Sequence, residues 1–88
     1  MTDTLNTGAE TLRNEVVVTM DGRDIAIPLE SLGVTLQSSD REILDAIRPV
    51  MQNREGADIA DARGEFSYSV RKAINSNTIY VYPKPVAG

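Results

Sequence analysis

Val16-Val17-Val18-Thr19-Met20, then Asp21-Gly22, then Arg23-Asp24-Ile25-Ala26-Ile27-Pro28-Leu29 is the stretch from which the fold is built. An Asp-Gly pair between β-branched runs marks a two-residue hairpin turn, because a type I′ turn needs positive φ at both central positions. The alternation of side chains along a strand puts Val16, Val18 and Met20 on one face, with Ile25, Ile27 and Leu29 as the matching stripe on the second strand. Pro28 cannot donate to a ladder, so it belongs at an edge or at the strand's end.

Downstream of this hairpin, Ser39-Asp40-Arg41-Glu42 forms a Ser-x-x-Glu capping box, followed by Ile43, Leu44, Ile47, Val50 and Met51 at spacings of three and four. The pattern predicts an amphipathic helix over residues 39–54, stopped by Gly56 in the left-handed position past the last turn. Pro49 lies inside it. Its ring removes the hydrogen bond to the Asp45 carbonyl, at about 3 kcal/mol unless packing compensates, so the helix is expected to bend or end early there.

Residues 56–65 are small and polar and read as a connecting loop. Two further strands are predicted, Glu65 to Ala73 and Thr78 to Tyr82, joined by Ile74-Asn75-Ser76-Asn77. Phe66, Tyr68 and Val70 alternate with polar neighbours, while Ile79 and Val81 face the core and Tyr80 and Tyr82 face outward. The expected fold class is α+β, in the order strand, strand, helix, strand, strand, with one helix on a four-stranded sheet and the opposite sheet face partly open. Residues 1–14 are polar, rich in Thr and Asn, and read as a loose N-terminal arm. The domain then spans 15–82, with an extended tail over 83–88.

At 88 residues the chain is one small domain. It contains no Cys and no His, which removes disulfides, the usual zinc ligand sets, thiol nucleophiles and the commonest general base. No metal, cofactor or catalytic residue is expected. The net charge of −4 argues against binding a phosphate backbone and favours a protein partner with a basic surface. No long apolar run or charged leader is present, so neither membrane insertion nor secretion is expected, and a cytoplasmic location is the default.

Candidate chemistry outside the tail is weak. Asp58 with Asp61, and Asp21 with Asp24, could be called paired carboxylates, but in loops and turns such residues cap backbone donors or face solvent. Ser38 and Ser39 have no histidine to activate them, so capping is the better account. The chain is not expected to be an enzyme.

The tail, Pro83-Lys84-Pro85-Val86-Ala87-Gly88, carries more information. Two prolines hold it extended and remove donors with which it would pair to a sheet, while Gly88 has no Cβ to clash in a narrow channel. An ordinary frayed terminus fits the tail as well.

Taken in order, these stretches resemble ubiquitin and its small β-grasp relatives over residues 15–88. The hairpin core Thr19-Met20-Asp21-Gly22-Arg23-Asp24-Ile25-Ala26-Ile27-Pro28-Leu29-Glu30 is similar to the opening ubiquitin hairpin. Ser38-Ser39-Asp40 is similar to the start of the ubiquitin helix, and Gln52-Asn53-Arg54-Glu55-Gly56 to its exit. The closing run from Thr78 to Gly88 matches the last strand and tail in length and layout. The resemblance implies a β-grasp fold and a modifier or carrier whose Gly88 is adenylated by an E1-like enzyme and passed to a protein target or thiol, with Ala87 threading the enzyme's channel.

Departures from the family pattern narrow that implication. Ala87 replaces the usual penultimate glycine, and prolines stand where ubiquitin has arginines and leucines, so Pro83, Lys84, Pro85 and Val86 would be read by a dedicated partner. The surface patch that ubiquitin receptors use has no residue match here. Tyr80 and Tyr82, with Val17, are the substitute candidates for a protein-binding face, since aromatic side chains are favoured interface anchors. Two alternatives remain open: a sulfur carrier forming a thiocarboxylate, and a non-covalent interaction module serving as subunit or inhibitor of a larger assembly. Lys72 and Lys84 are the two lysines, so self-linked chains have few acceptor positions.

Overall fold

The computed structural model describes residues 12–85. The N-terminal arm expected over 1–14 therefore lies outside the described residues up to position 11, and so do Val86, Ala87 and Gly88.

Strand β1 (Glu15–Met20) and strand β2 (Arg23–Pro28) form the hairpin. They pair from Glu15↔Pro28 to Met20↔Arg23, leaving Asp21 and Gly22 as the loop, with φ of 53° and 75°. Both central residues adopt the positive φ of a type I′ turn, whose twist matches that of the strands it joins. Pro28 is the last residue of β2 and β2 is an edge strand, so its missing donor breaks no ladder. Its fixed φ opens a one-turn helix α1 (Leu29–Leu32), closed by Gly33. This turn has no capping side chain and is too short to show a helical period in the sequence. Leu29 consequently reaches the core from α1 and not from the end of β2.

Helix α2 (Asp40–Glu55) starts on a complete capping box: the Glu42 amide donates to Ser39 Oγ at 3.1 Å, and the Ser39 amide to Glu42 Oε1 at 2.8 Å. Gly56, at φ 67°, ends it. The helix runs through Pro49, which lies on its exposed side, where water can satisfy the Asp45 carbonyl that loses its partner. Ile43, Leu44, Ile47 and Met51 are buried on the opposite side, each contributing roughly 1.5–3 kcal/mol by leaving water.

Strand β3 (Tyr68–Ala73), a 3-10 turn (Ile74–Ser76) and strand β4 (Thr78–Pro83) complete a four-stranded mixed sheet of order β2-β1-β4-β3. The first and last strands, β1 and β4, run parallel at its centre. Val16, Val18, Ile79 and Val81 on these two strands are fully buried beneath α2 and form the middle of the core. Both ends of α2 are tied to the sheet. Arg23 Nη2 meets Glu55 Oε1 at 2.6 Å near its C-terminus, and Lys72 Nζ donates to the Ser38 carbonyl at 2.7 Å just before its N-terminus.

The third strand starts at Tyr68 and not at Glu65 as its alternation suggests. Phe66 forms an isolated bridge with Ala60, and the Ser67 amide turns to the Ile59 carbonyl at 3.0 Å, so this part of the chain pairs with the loop before it. That loop is pinned: Ile59 is fully buried, and Arg48 holds Asp58 through two hydrogen bonds of 2.8 and 2.9 Å. At the other end of the sheet the Arg13 amide donates to the Ser76 carbonyl and the Leu29 amide to that of Asn14, both at 2.9 Å. Among the described residues no helix is long and apolar enough to cross a membrane.

Candidate functional site

Of the predicted tail residues, Pro83, Lys84 and Pro85 are described, and they continue from β4 in a defined way. Pro83 is the last residue of β4, opposite Tyr68, and the Lys84 amide donates to the Ser67 carbonyl at 3.0 Å. Lys84 thus extends the β4 side of the sheet by one bond toward β3. Backbone donors alternate between the two edges of a strand, so the N–H groups missing at Pro83 and Pro85 would have pointed toward β1. There the β1–β4 ladder has already ended, at Val18↔Val81. An unpaired backbone edge is a template for another strand, and the prolines remove its donors where no neighbour covers them. The described part of the tail is anchored on one side, blunted on the other, and exposed in its side chains.

Two shallow hollows flank its root. One, of about 380 Å³, brings together Asp40, Leu44, Tyr68, Val70, Tyr82 and Lys84. The second, also about 380 Å³, is lined by Arg41, Phe66 and Glu65, and shares Leu44, Tyr68 and Lys84 with the first. The Arg41 guanidinium sits 5.5 Å from the centre of the Phe66 ring, within cation–π range. Burial pushes the Tyr68 phenol above its ordinary pKa, with the charge of Asp21 adding to the effect, which keeps this group neutral. Sequence reasoning did not assign Arg41, Leu44, Phe66 and Tyr68 to the tail. They come from a helix, a loop and a strand edge that meet only in the folded chain, and no local spacing marks them.

On the sheet face away from α2, Tyr80 and Tyr82 are half-buried, opposite Arg71 and Ser69 of β3. Arg71 lies over the Tyr80 ring at 5.0 Å from its centre, covering one ring face with a cation. Val17 shares this side of the sheet but is 6% exposed, because Ala26 and Tyr80 flank it on the two neighbouring strands. Of the three residues expected to form a contact surface, Val17 offers the least area.

Of the carboxylates considered for chemistry, Asp58 and Asp61 are occupied with backbone and arginine. Asp58 accepts from Arg48 and from the Ala60 amide, and its pKa is lowered to about 2, chiefly by the Arg48 hydrogen bond. Asp61 Oδ1 accepts from the amides of Arg63 and Glu65 at 2.8 and 3.0 Å, and so shapes the turn before Phe66. Asp24 accepts from the Thr19 hydroxyl. Ser38 Oγ accepts from the Thr35 amide, and Ser39 caps α2. Among the described residues no three His, Cys, Asp or Glu side chains are grouped to hold a metal ion.

No known protein family, curated protein or solved structure matches the chain.

Proposed function

We propose that this is a ubiquitin-like β-grasp carrier that acts covalently through Gly88. The observation that carries the reading is the exit of the tail. Lys84 is anchored to Ser67, while Pro83 and Pro85 leave the opposite edge without donors. Pro83 and Pro85 thereby keep the root of the tail from pairing along that edge, which suits a tail that must enter another protein's channel. The sheet order β2-β1-β4-β3, with its parallel central pair and one main helix, is compatible with a β-grasp and supports the same reading.

In the proposed cycle the Gly88 carboxylate attacks the α-phosphorus of ATP, expelling pyrophosphate and leaving an acyl-adenylate. A thiol or amine then attacks the acyl carbon, AMP departs, and a thioester or amide remains. Attack by a sulfide donor would instead leave a thiocarboxylate, the sulfur-carrier form. The protein supplies no catalytic group to these steps; its part is to present the carboxyl group. The hollows around Lys84 would receive the activating enzyme beside the tail.

A second reading has its own observation. Tyr80 under Arg71, with Tyr82 beside it, forms an aromatic and cationic surface suited to non-covalent protein binding.

Intact mass spectrometry after incubation with ATP and lysate of the native host, beside a variant lacking Gly88, tests the proposal. Adducts, conjugates or a thiocarboxylate that depend on Gly88 are expected. Unchanged mass in both forms would overturn the covalent reading and leave the tyrosine face as the working surface.

A further inference from the structure

The sheet has two outer strands, β2 and β3, and their free edges differ. A strand turns its backbone groups alternately to either side, so the bonds that are made settle which groups are left over. In β2 the Leu29 amide reaches back to the Asn14 carbonyl, which turns position 28 outward, and Pro28 has no donor to offer there. In β3 the Ser67 carbonyl takes the Lys84 amide, which turns both backbone groups of Tyr68, Val70 and Lys72 outward. None of the three is a proline, and among the described residues none of their amides has a partner. Prolines remove donors from the uncovered stretches of β2 and β4, while β3 keeps its own. An edge of this kind is a template for one more strand.

The charges around the edge select the kind of strand. Arg13, Arg23, Arg41, Arg48 and Arg63 are each paired with a carboxylate. Among the described residues, Arg54, Arg71, Lys72 and Lys84 are not, and all but Arg54 border this edge, Arg71 and Lys72 on β3 and Lys84 beside Ser67. Arg71 stacks on Tyr80, which leaves the rim of its guanidinium free to donate. Lys72 gives a hydrogen bond to the neutral Ser38 carbonyl, so its charge is not cancelled.

We propose that the free edge of β3 binds an extended segment of a partner protein in which acidic and aliphatic residues alternate. Main-chain bonds to Tyr68, Val70 and Lys72 would hold the segment, and the side chains on its two sides would give specificity. On the α2 side lies the hollow of about 380 Å³ that Leu44, Tyr68 and Val70 line, which takes an aliphatic residue; Asp40 on its wall keeps a second carboxylate out. On the open side stands Arg71, exposed, as the cross-strand partner of an acidic residue. A second copy of the same edge would instead bring Arg71 and Lys72 against their own like charges. The arrangement requires no chemistry at Gly88.

Amide exchange measured by NMR on the full chain, free and with an acetylated peptide of about seven residues alternating Glu and Val, tests the inference. In the free chain the amides of Tyr68, Val70 and Lys72 should exchange faster than those of Ser69, Arg71 and Ala73, which face β4. With about 1 mM peptide the first three should slow by about tenfold or more, as partners for their donors arrive. Arg71→Glu should weaken binding about tenfold, because an attractive cross-strand pair becomes a repulsive one. Arg54→Gln, at the end of α2 that Glu55 ties to β2, should leave binding within about twofold. Arg71 is exposed, so a native circular dichroism spectrum is expected for Arg71→Glu, and Arg71→Gln should fall between it and the native chain. No slowing at the three amides overturns the proposal, as does equal binding of a peptide alternating Lys and Val. Slow exchange at these amides in the free chain would overturn it too: dependence on protein concentration would name a second copy as the occupant, and independence a segment of the chain itself.

Discussion

The Lys84 amide donates to the Ser67 carbonyl at 3.0 Å, one residue past the end of β4, and between two prolines that have no amide to give. In the described tail this is the one backbone N–H, and it is used.

Hydrogen exchange at that amide is expected to be slower than in an unstructured peptide of the same sequence, because exchange requires the Ser67 bond to open. Exchange at the unstructured rate would show that the tail is not anchored. Replacing Pro83 and Pro85 together by Val restores donors on the uncovered edge, and self-association should rise. Sedimentation equilibrium checks this, and an unchanged mass would show that the prolines do not guard the edge.

Arg48 and Asp58 make a two-point clamp between α2 and the following loop. The folded-state pKa of Asp58 is depressed from 3.8 to about 2, so the contribution of the clamp is fully present above the unfolded value and is lost as pH falls through the folded one. Melting temperature followed from pH 5 to pH 2 should fall more steeply in the native chain than in Asp58→Asn. Parallel curves would sink this account.

Ile59 sits in a stretch whose composition reads as a polar loop, yet it is fully buried. Ile59→Ala should cost about 2–5 kcal/mol in urea unfolding, the range for emptying a packed aliphatic site. Ile74→Ala, at an exposed position, should change stability by less than about 0.5 kcal/mol. Equal costs would contradict the packing described here.

The two lysines differ in availability. Lys72 Nζ is partly buried and donates to the Ser38 carbonyl, whereas Lys84 is exposed. Limiting acetylating reagent should label Lys84 well before Lys72, by peptide mass spectrometry. If the protein forms chains with itself, Lys84 is the expected acceptor.

The capping box gives a local check on α2. Ser39→Ala leaves the Glu42 amide without its partner and should cost about 1 kcal/mol, measured by thermal or urea unfolding.

Much of this architecture follows from short-range chemistry alone. Asp21-Gly22 sets a two-residue turn because few other pairs tolerate positive φ twice; Ser39 and Glu42 start a helix because they satisfy each other's amides; Gly56 stops it. Those constraints act within four residues, so they can be read before anything is folded. The alternation that buries Ile79 and Val81 and turns Tyr80 and Tyr82 outward has the same origin. What pairs with what across longer distances was decided only by the tertiary structure. Ile59 is buried in a loop that Arg48 also holds at Asp58, and Phe66 lies outside the third strand in a bridge with Ala60. Val17 loses its surface because β1 lies between two neighbours, and Pro49 is tolerated because its side of α2 faces water. In each case the outcome depends on which segment occupies the adjacent space, a quantity that chain-local spacing does not contain.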